Sequence, residues 1–259
     1  MSSLKDLLKS VSQEEQLQKQ LLVVGGQEVG HIQLLNAFGI RDVSIIPYGF
    51  HLAERADLQL CFHSFAGEYG AVYQRIIDRL LASSLVVYIL DALDLLKDEP
   101  TQETIFERVS GSLKPWIDVC SKAVSCCVLV QNVSRVDYNV KSVSNMDYLQ
   151  QLVRLIMMDK NGAVLFFQET DTPQDIIQLL KGTAELRIKD YDNVFVPSGS
   201  DSYGKIKVLN EDFACEETLE KWHSVETVAK EVPTNATSTN SENLRQKYQD
   251  FLRQIHLAV

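Results

Sequence analysis

A glycine-bounded loop near the start of the chain is the first place where nucleotide chemistry could occur. Gly25 and Gly30 keep the GxxxxG spacing of a phosphate loop and follow the apolar run Leu21–Val24. In a working loop the next two residues are lysine, which neutralises phosphate charge, and serine or threonine, which ligates magnesium. Here they are His31 and Ile32. The sequence therefore predicts a vestigial phosphate loop.

The other loops of a GTPase site also lack the required side chains. Ser64–Gly67 has the glycine of the DxxG motif but lacks its aspartate. Ser134–Asp137 stands in the place of the NKxD motif and retains only a basic residue and Asp137. The segment Tyr48–Arg55 has no switch threonine, and we expect Glu28 to add a negative charge that faces the phosphates. These losses predict a protein that is not an enzyme, with no catalytic residue, no cofactor and no metal site.

The elements that position these loops follow from hydrophobic periodicity. Short apolar runs, which are typical of strands covered on both faces, lie at Leu21–Val24, Val43–Pro47, Leu58–Phe62, Leu85–Leu90, Cys126–Val130 and Val164–Phe167. Segments of helical period lie between them, at His31–Phe38, Tyr69–Ala82, Gln102–Val119, Met146–Met158 and Pro173–Leu180. This alternation predicts an α/β fold, a doubly wound, mostly parallel six-stranded sheet of P-loop GTPase-like (Ras-like) topology. An isolated GxxxxG is more often a simple tight turn, but its place before the first helix of such a sheet favours descent from a phosphate loop.

The pattern changes in the C-terminal part of the chain. Asp192–Pro197 and Lys205–Leu209 are predicted to be extended, and Glu231–Asn240 is a polar stretch with the composition of a linker. The predicted organisation is an N-terminal helical segment (1–18), the α/β domain (19–190), an extension packed on it (191–230), a flexible linker (231–241) and an amphipathic helix (242–259). The apolar face of that last helix carries Leu244, Tyr248, Phe251, Leu252 and Ile255.

Composition excludes several classes of partner. The net charge of −10 over 259 residues argues against nucleic acid and against an anionic membrane surface. The five cysteines are scattered without a CxxC pair, which is typical of thiols in a reducing compartment. No apolar run reaches the about 20 residues that a membrane span needs, and the N-terminus has no signal-peptide core. We therefore expect a cytoplasmic protein.

The stretch Asn193–Phe213 resembles the segment that follows the GTPase-like domain in cytoplasmic dynein light intermediate chains. Leu4–Ser12 and Glu242–His256 are similar to that family's helices before the first strand and after the domain. The resemblance implies a non-catalytic subunit of the dynein motor complex that binds the heavy-chain tail. It also implies a contribution to complex integrity and to cargo attachment, with cargo adaptors as further partners, in microtubule minus-end-directed transport. The residues at matching positions are Phe195, Pro197, Gly199, Asp201, Lys205, Ile206 and Phe213.

This sequence departs from animal members of that family, which keep the lysine and the hydroxyl residue of the loop and carry a long adaptor-binding tail. Partner contacts are predicted on the apolar face of the C-terminal helix, which alternatively folds back on the domain. Aromatic residues of the extension are further candidates, because aromatics dominate hot spots; these are Phe195, Tyr203, Phe213 and Trp222. The competing hypotheses are a nucleotide-binding GTPase-like switch and a pseudo-GTPase scaffold of another complex.

Overall fold

The computed structural model describes residues 17–226, apart from 42, 44, 46–47, 56–57, 68–73, 138–139 and 191–192. The strands of this part are β1 (Leu17–Val24), β2 (Gly49–Arg55), β3 (Leu58–Phe65), β4 (Ser84–Asp91), β5 (Ser125–Gln131), β6 (Ala163–Phe166), β7 (Arg187–Ile188) and β8 (Val194–Val196). The helices are α1 (Glu28–Ala37), α2 (Gln74–Leu80), α3 (Ala92–Leu96), α4 (Gln102–Val119), α5 (Val140–Asp159), α6 (Thr172–Lys181), α7 (Tyr203–Lys207) and α8 (Cys215–Ser224). The predicted linker and C-terminal helix lie outside the described residues, as does the predicted N-terminal helical segment except its last two positions, which belong to β1.

The strands form one mostly parallel sheet in the order β2-β3-β1-β4-β5-β6-β8-β7. The five central strands β3, β1, β4, β5 and β6 run parallel to one another. The outer strands are antiparallel: β2 pairs with β3, β8 with β6, and β7 with β8. The prediction of six strands is wrong, because two short strands of the C-terminal part, β8 and β7, continue the sheet beyond β6. The prediction that Asp192–Pro197 is extended is confirmed at Val194–Val196, but the pairing of this strand with β6 was not predicted. The two-residue β7 is too short to show a period of its own.

Helices cover both faces of the sheet, as a doubly wound fold requires. One core joins alternate residues of β1 such as Leu22 and Val24 to Val109 of α4 and Leu152 of α5. The other core joins the intervening residues, such as Leu21, to α1 and α6. Because both faces are buried, the central strands contain continuous apolar runs, which were recognisable from the sequence.

Where a strand has only one covered face, the sequence prediction failed. The described residues of the run Val43–Pro47 belong to no strand, although Ile45 is buried. The strand lies further on, at Gly49–Arg55, and its side chains alternate between buried and exposed. An edge strand of this kind alternates in polarity and gives no continuous apolar run.

Caps set the ends of several helices. The prediction for Gln102–Val119 is confirmed at both ends, and the Thr101 hydroxyl accepts from the Thr104 amide at 3.2 Å. The prediction that Lys205–Leu209 is extended is wrong, because the Ser202 hydroxyl accepts from the Lys205 amide and starts α7 there.

No helix in the described part of the chain combines the length and the apolar character needed to cross a membrane.

Candidate functional site

The segment Gly25–Ile32 leads from the carboxyl end of β1 into α1. Gly25 and Gly26 adopt positive φ angles of 76° and 62°, which glycine reaches without strain. The Gly25 N–H donates to the Phe65 carbonyl at 3.1 Å, and the Gly67 N–H donates to the Gly26 carbonyl at 2.7 Å. The Gly67 amide, which a DxxG motif offers to a γ-phosphate, is therefore already bonded to the protein itself.

The His31 side chain turns back onto the same loop. It is fully buried, and its Nε2 lies 2.6 Å from the Gly25 carbonyl oxygen. Because a carbonyl can only accept, Nε2 carries the proton of this bond. Burial lowers the pKa of His31 to about 4, and the hydrogen bond to Gly25 opposes that shift only in part. At neutral pH the residue in the lysine position is uncharged and bonded inwards.

Two neighbouring strands, β4 and β5, contact the loop through the side chains of Ile89 and Gln131. Gln131, the last residue of β5, is fully buried and donates from Nε2 to the Gly30 carbonyl at 2.8 Å. A Cβ atom on Gly30 would lie 2.4 Å from Oε1 of Gln131, and one on Gly26 would lie 2.7 Å from Cγ2 of Ile89. Gly30 of the GxxxxG spacing, and Gly26 beside its first glycine, are thus favoured by the packing of the protein against its own loop.

The indole of Trp116 in α4 closes the loop from another side. Its Nε1 donates to the Gly67 carbonyl at 3.3 Å, and a Cβ atom on Gly25 would lie 3.3 Å from its Cδ1. The side chain is 3% exposed. Neither Trp116 nor Gln131 was singled out from the sequence, since each contacts the loop from far along the chain.

Polar residues at the ends of β4 and β5 bond to one another. Asp91 accepts from the Leu93 amide at 2.9 Å, which caps α3, and from Nδ2 of Asn132 at 2.7 Å. Asn132 directly follows β5 and has a positive φ of 58°. Asp137 lies five residues further on with an exposed side chain, and its carbonyl oxygen accepts from the Ser142 hydroxyl. Sequence reasoning missed the Asp91–Asn132 pair, although a polar residue directly after each apolar run was the available signal.

The nucleotide and magnesium ion that a GTPase fold implies do not fit these residues. Ile32 has no oxygen for a metal, the loop carries no cation, and Ser64, buried at the end of β3, stands where DxxG has a carboxylate. Glu28, which was expected to face the phosphates, instead accepts from the Ile45 amide at 3.4 Å. The loop that we expected to be vestigial is occupied by internal contacts.

The extension is held to α5 by a buried ion pair. Arg154 donates from Nε and Nη2 to the two carboxylate oxygens of Asp201, both at 2.8 Å, and the side chains are 1% and 6% exposed. Gln151, one turn earlier, donates to the carbonyls of Ile206 and Asn210. This part of the Asn193–Phe213 motif therefore contains anchors that fix the extension to the domain.

The aromatic residues predicted as partner contacts fall into two groups. Phe195, Phe213 and Trp222 are buried, with 0%, 5% and 1% exposure, and lie in three different apolar clusters. These three side chains pack in the core of this chain and are not exposed for a partner to contact, unlike the interface anchors that we predicted. Tyr203 is 40% exposed and stays a candidate. Leu244, Tyr248, Phe251, Leu252 and Ile255 lie outside the described residues.

The sequence matches no family model and no curated protein. Among solved structures, the chain is similar to the conserved domain of the dynein light intermediate chain, with a TM-score of 0.60 and 16% identity over 80% of this chain and 90% of that one. A second match is elongation factor SelB from Methanococcus maripaludis in complex with a GTP analogue, with a TM-score of 0.39 and 12% identity over 66% of this chain and 35% of that one. The chain thus has an α/β fold of the P-loop GTPase-like kind found in the dynein light intermediate chain domain.

Proposed function

We propose that this chain is a non-catalytic subunit of the cytoplasmic dynein motor complex, a member of the light intermediate chain family. In this role it binds the dynein heavy-chain tail and contributes to complex integrity and to cargo attachment in microtubule minus-end-directed transport. It works in the cytoplasm on microtubules, with the heavy chain and cargo adaptors as protein partners. We further infer that strands β1 to β6 are a Ras-like core, to which β8 and β7 were added.

The observation that carries this proposal is the likeness to the light intermediate chain domain, which extends over 90% of that domain. A GTPase-like core is common to many functions, so the extension matters most. In this chain the motif that resembles the family supplies Phe195 to the core and Asp201 to a buried ion pair. Both observations favour a domain whose extension is a permanent part of the fold.

The phosphate loop supports a scaffold over a switch. A GTPase switch depends on loops that are ordered by the γ-phosphate and released on hydrolysis. Here the Gly67 and Gly25 amides already bond to protein carbonyls, and His31 bonds back to Gly25. Nothing is left for a nucleotide to order at these groups, so partner binding is independent of nucleotide.

Affinity purification tests the proposal. The tagged full chain, expressed in its own cells, is expected to recover a dynein heavy chain in stoichiometric amount by mass spectrometry. Phe251→Asp with Ile255→Asp should reduce that recovery at least about tenfold, because two anchors on an amphipathic face contribute roughly 1.5–3 kcal/mol each when buried. Val124→Asp is the matched control, since Val124 is an apolar residue with 83% exposure, and it should leave recovery unchanged.

Two results would overturn the proposal in different ways. Stoichiometric recovery of a different complex without a heavy chain would identify a pseudo-GTPase scaffold of that complex. Undiminished heavy-chain recovery by the double variant would keep the dynein assignment and remove the role of the C-terminal helix. Circular dichroism of both variants separates lost binding from lost folding.

A further inference from the structure

The two edges of the sheet differ in how they are protected from further pairing. At one edge β7 has only two residues, and so short a strand offers little backbone to pair with. At the other edge β2 pairs with β3 over all seven of its positions without a bulge, and no strand of the described residues pairs with its outer side. The first five residues of β2, Gly49–Ala53, contain no acidic residue, lysine, arginine or proline. Short length, bulges, charges and proline are the usual protections of an edge strand, so the β2 edge is open to pairing.

Apolar side chains are exposed along this open edge. Phe50 and Leu52 are 41% and 51% exposed and lie two residues apart, on the same face of the strand. Phe50 is opposite His63 of β3, and Leu52 is opposite Cys61, and both of these β3 residues are buried. We call the exposed surface formed by Phe50 and Leu52 the β2 patch. It combines an open backbone edge with apolar side chains, which are the two features that a sheet offers to an added strand.

The order of residues along β2 is complementary to itself. When a second copy pairs with β2 in the antiparallel sense, with a two-fold axis at His51, Phe50 of each copy lies opposite Leu52 of the other. Side chains that are directly opposite in a sheet have Cβ atoms about 4.5–5.5 Å apart, so both exposed apolar side chains of each copy gain an apolar neighbour. An axis at Leu52 would instead place Phe50 opposite Glu54. The axis at His51 is therefore the favoured one.

The charges on β2 are compatible with this arrangement. Glu54, which is exposed, and Arg55 lie together at one end of the strand. In the antiparallel pair the two Glu54 side chains lie six positions apart along the strands, about 20 Å, which exceeds the Debye length of about 8 Å at physiological salt. The two His51 side chains meet at the axis. Burial lowers the pKa of His51, so both imidazoles are neutral at pH 7 and do not repel each other.

A second copy of this chain fits the edge better than a disordered peptide does. Its β2 is already an ordered strand of seven residues, whereas a disordered peptide loses conformational freedom when it adds to a sheet. A surface that is complementary to itself produces a closed two-fold dimer, which is the commonest symmetric assembly.

We propose that two copies of this chain associate through β2 as an antiparallel two-fold dimer, in which Phe50 of each copy packs against Leu52 of the other. The two sheets then form one continuous sheet, and the open edge of each copy is closed by the other.

Analytical ultracentrifugation of the full chain tests the association. The chain is expected to form a dimer with a dissociation constant of micromolar order, because an interface between two edge strands is small. Phe50→Lys and Leu52→Glu should each weaken the dimer at least about tenfold, since each change places a charge opposite an apolar side chain. The control Val124→Lys, at an exposed apolar position outside β2, should leave the dissociation constant unchanged.

A mixture of the two β2 variants tests the register. With the axis at His51, the introduced lysine of one copy lies opposite the introduced glutamate of the other, and the second pair remains Leu52 with Phe50. An equimolar mixture of Phe50→Lys and Leu52→Glu protein should therefore associate at least about tenfold more tightly than either variant alone. Recovery of the dimer in the mixture also shows that both variants are folded.

Hydrogen exchange of the parent protein tests the same interface without any substitution. The β2 amides should exchange at least about tenfold more slowly at a concentration well above the dissociation constant than well below it, while β4 and β5 exchange at the same rate at both. The proposal is overturned by a parent protein that is still monomeric at millimolar concentration, or by exchange of β2 that does not depend on concentration. It is also overturned by β2 variants that dimerise as tightly as the parent, or by folded variants, verified by circular dichroism, that stay monomeric when mixed.

Discussion

The phosphate loop and the extension both contain buried polar groups, yet they use them in opposite ways. In the loop, the buried side-chain contacts join neutral groups: the His31 imidazole to the Gly25 carbonyl, and the Gln131 amide to the Gly30 carbonyl. In the extension the main contact is a buried pair of full charges, Arg154 and Asp201. A neutral network stabilises the turn between β1 and α1, whereas a charged pair fixes one position of a segment strongly.

The difference shows where the chain depends on particular residues. A buried charge whose partner is removed costs far more than a neutral donor whose partner is removed. The extension should therefore be the more sensitive region, although the loop is the one that resembles a catalytic site. The following variants test this contrast, from the largest expected effect to the smallest.

Arg154→Ala should lower the free energy of unfolding by about 3–5 kcal/mol, because it leaves the buried Asp201 carboxylate without its charged partner and with the Ser202 amide as a neutral donor. Urea denaturation of the full chain measures this. The double variant Arg154→Met with Asp201→Leu removes both charges and should recover most of the loss. A loss below about 1 kcal/mol for Arg154→Ala would contradict the anchoring role of this pair.

Acidification should destabilise the loop through His31. Its pKa is about 4 in the folded protein and 6.5 in the unfolded chain, so the unfolded state binds more protons between these values. The stability contributed by neutral His31 is present above pH 6.5 and is lost as the pH falls towards 4, by about 3 kcal/mol. Urea denaturation at pH 7.5 and pH 4 measures the loss.

His31→Gln is the control for that pH dependence, because glutamine keeps a donor for the Gly25 carbonyl and does not titrate. Burial also lowers the pKa of His63 to about 4. Its effect on the pH dependence of stability is the same in both proteins and cancels when they are compared. A parent protein and variant with the same pH dependence would show that His31 is not held neutral by its site.

Gly30→Ala should cost about 1–3 kcal/mol, since the added Cβ would lie 2.4 Å from Oε1 of Gln131. The matched control is Gly111→Ala in α4, where a Cβ would meet nothing within 4 Å. That change should stabilise by about 0.5–1 kcal/mol, because glycine is unfavourable inside a helix. Equal effects of the two substitutions on thermal unfolding would mean that Gln131 moves aside freely.

The smallest effect on stability is expected at Tyr203. Its side chain is 40% exposed, so Tyr203→Ala should change the unfolding free energy by no more than about 0.5 kcal/mol. As the exposed aromatic candidate of the extension, it should nevertheless weaken heavy-chain recovery. Phe213→Ala, a buried comparison, should cost about 3–5 kcal/mol. Unchanged recovery by a stable Tyr203→Ala protein would remove this residue from the interface.

The parts of the fold that the sequence predicted are those with a strong periodic signal. Gln102–Val119 has a long amphipathic pattern and a threonine cap, and both of its ends were predicted. Cys215–Ser224 was missed, because few of its residues are apolar and only Cys215 and Trp222 of this helix are buried. The edge strand β2 and the two-residue β7 have no continuous apolar run, so their pairing depends on the neighbours that the folded chain brings to them. The apolar β8 lies within the stretch predicted to be extended, but its pairing with β6 was not predicted.

The candidate site was predictable only where it depends on residue type. The loss of lysine and hydroxyl at His31 and Ile32 is visible in the sequence. The closure of the loop depends on the hydrogen bond from Gln131 to Gly30, which are 101 positions apart, and on Trp116 of α4. No local pattern encodes such contacts, since they arise from the order of the strands.

We infer that the phosphate loop, closed by the protein's own groups, holds no nucleotide. Protein purified from its own cells without chelators can be denatured, and the released nucleotides can be quantified by ion-exchange chromatography. The closed loop predicts guanine nucleotide far below one molecule per chain, the same as for Gly30→Ala protein. One guanine nucleotide per chain would contradict the claim and restore the nucleotide-dependent switch.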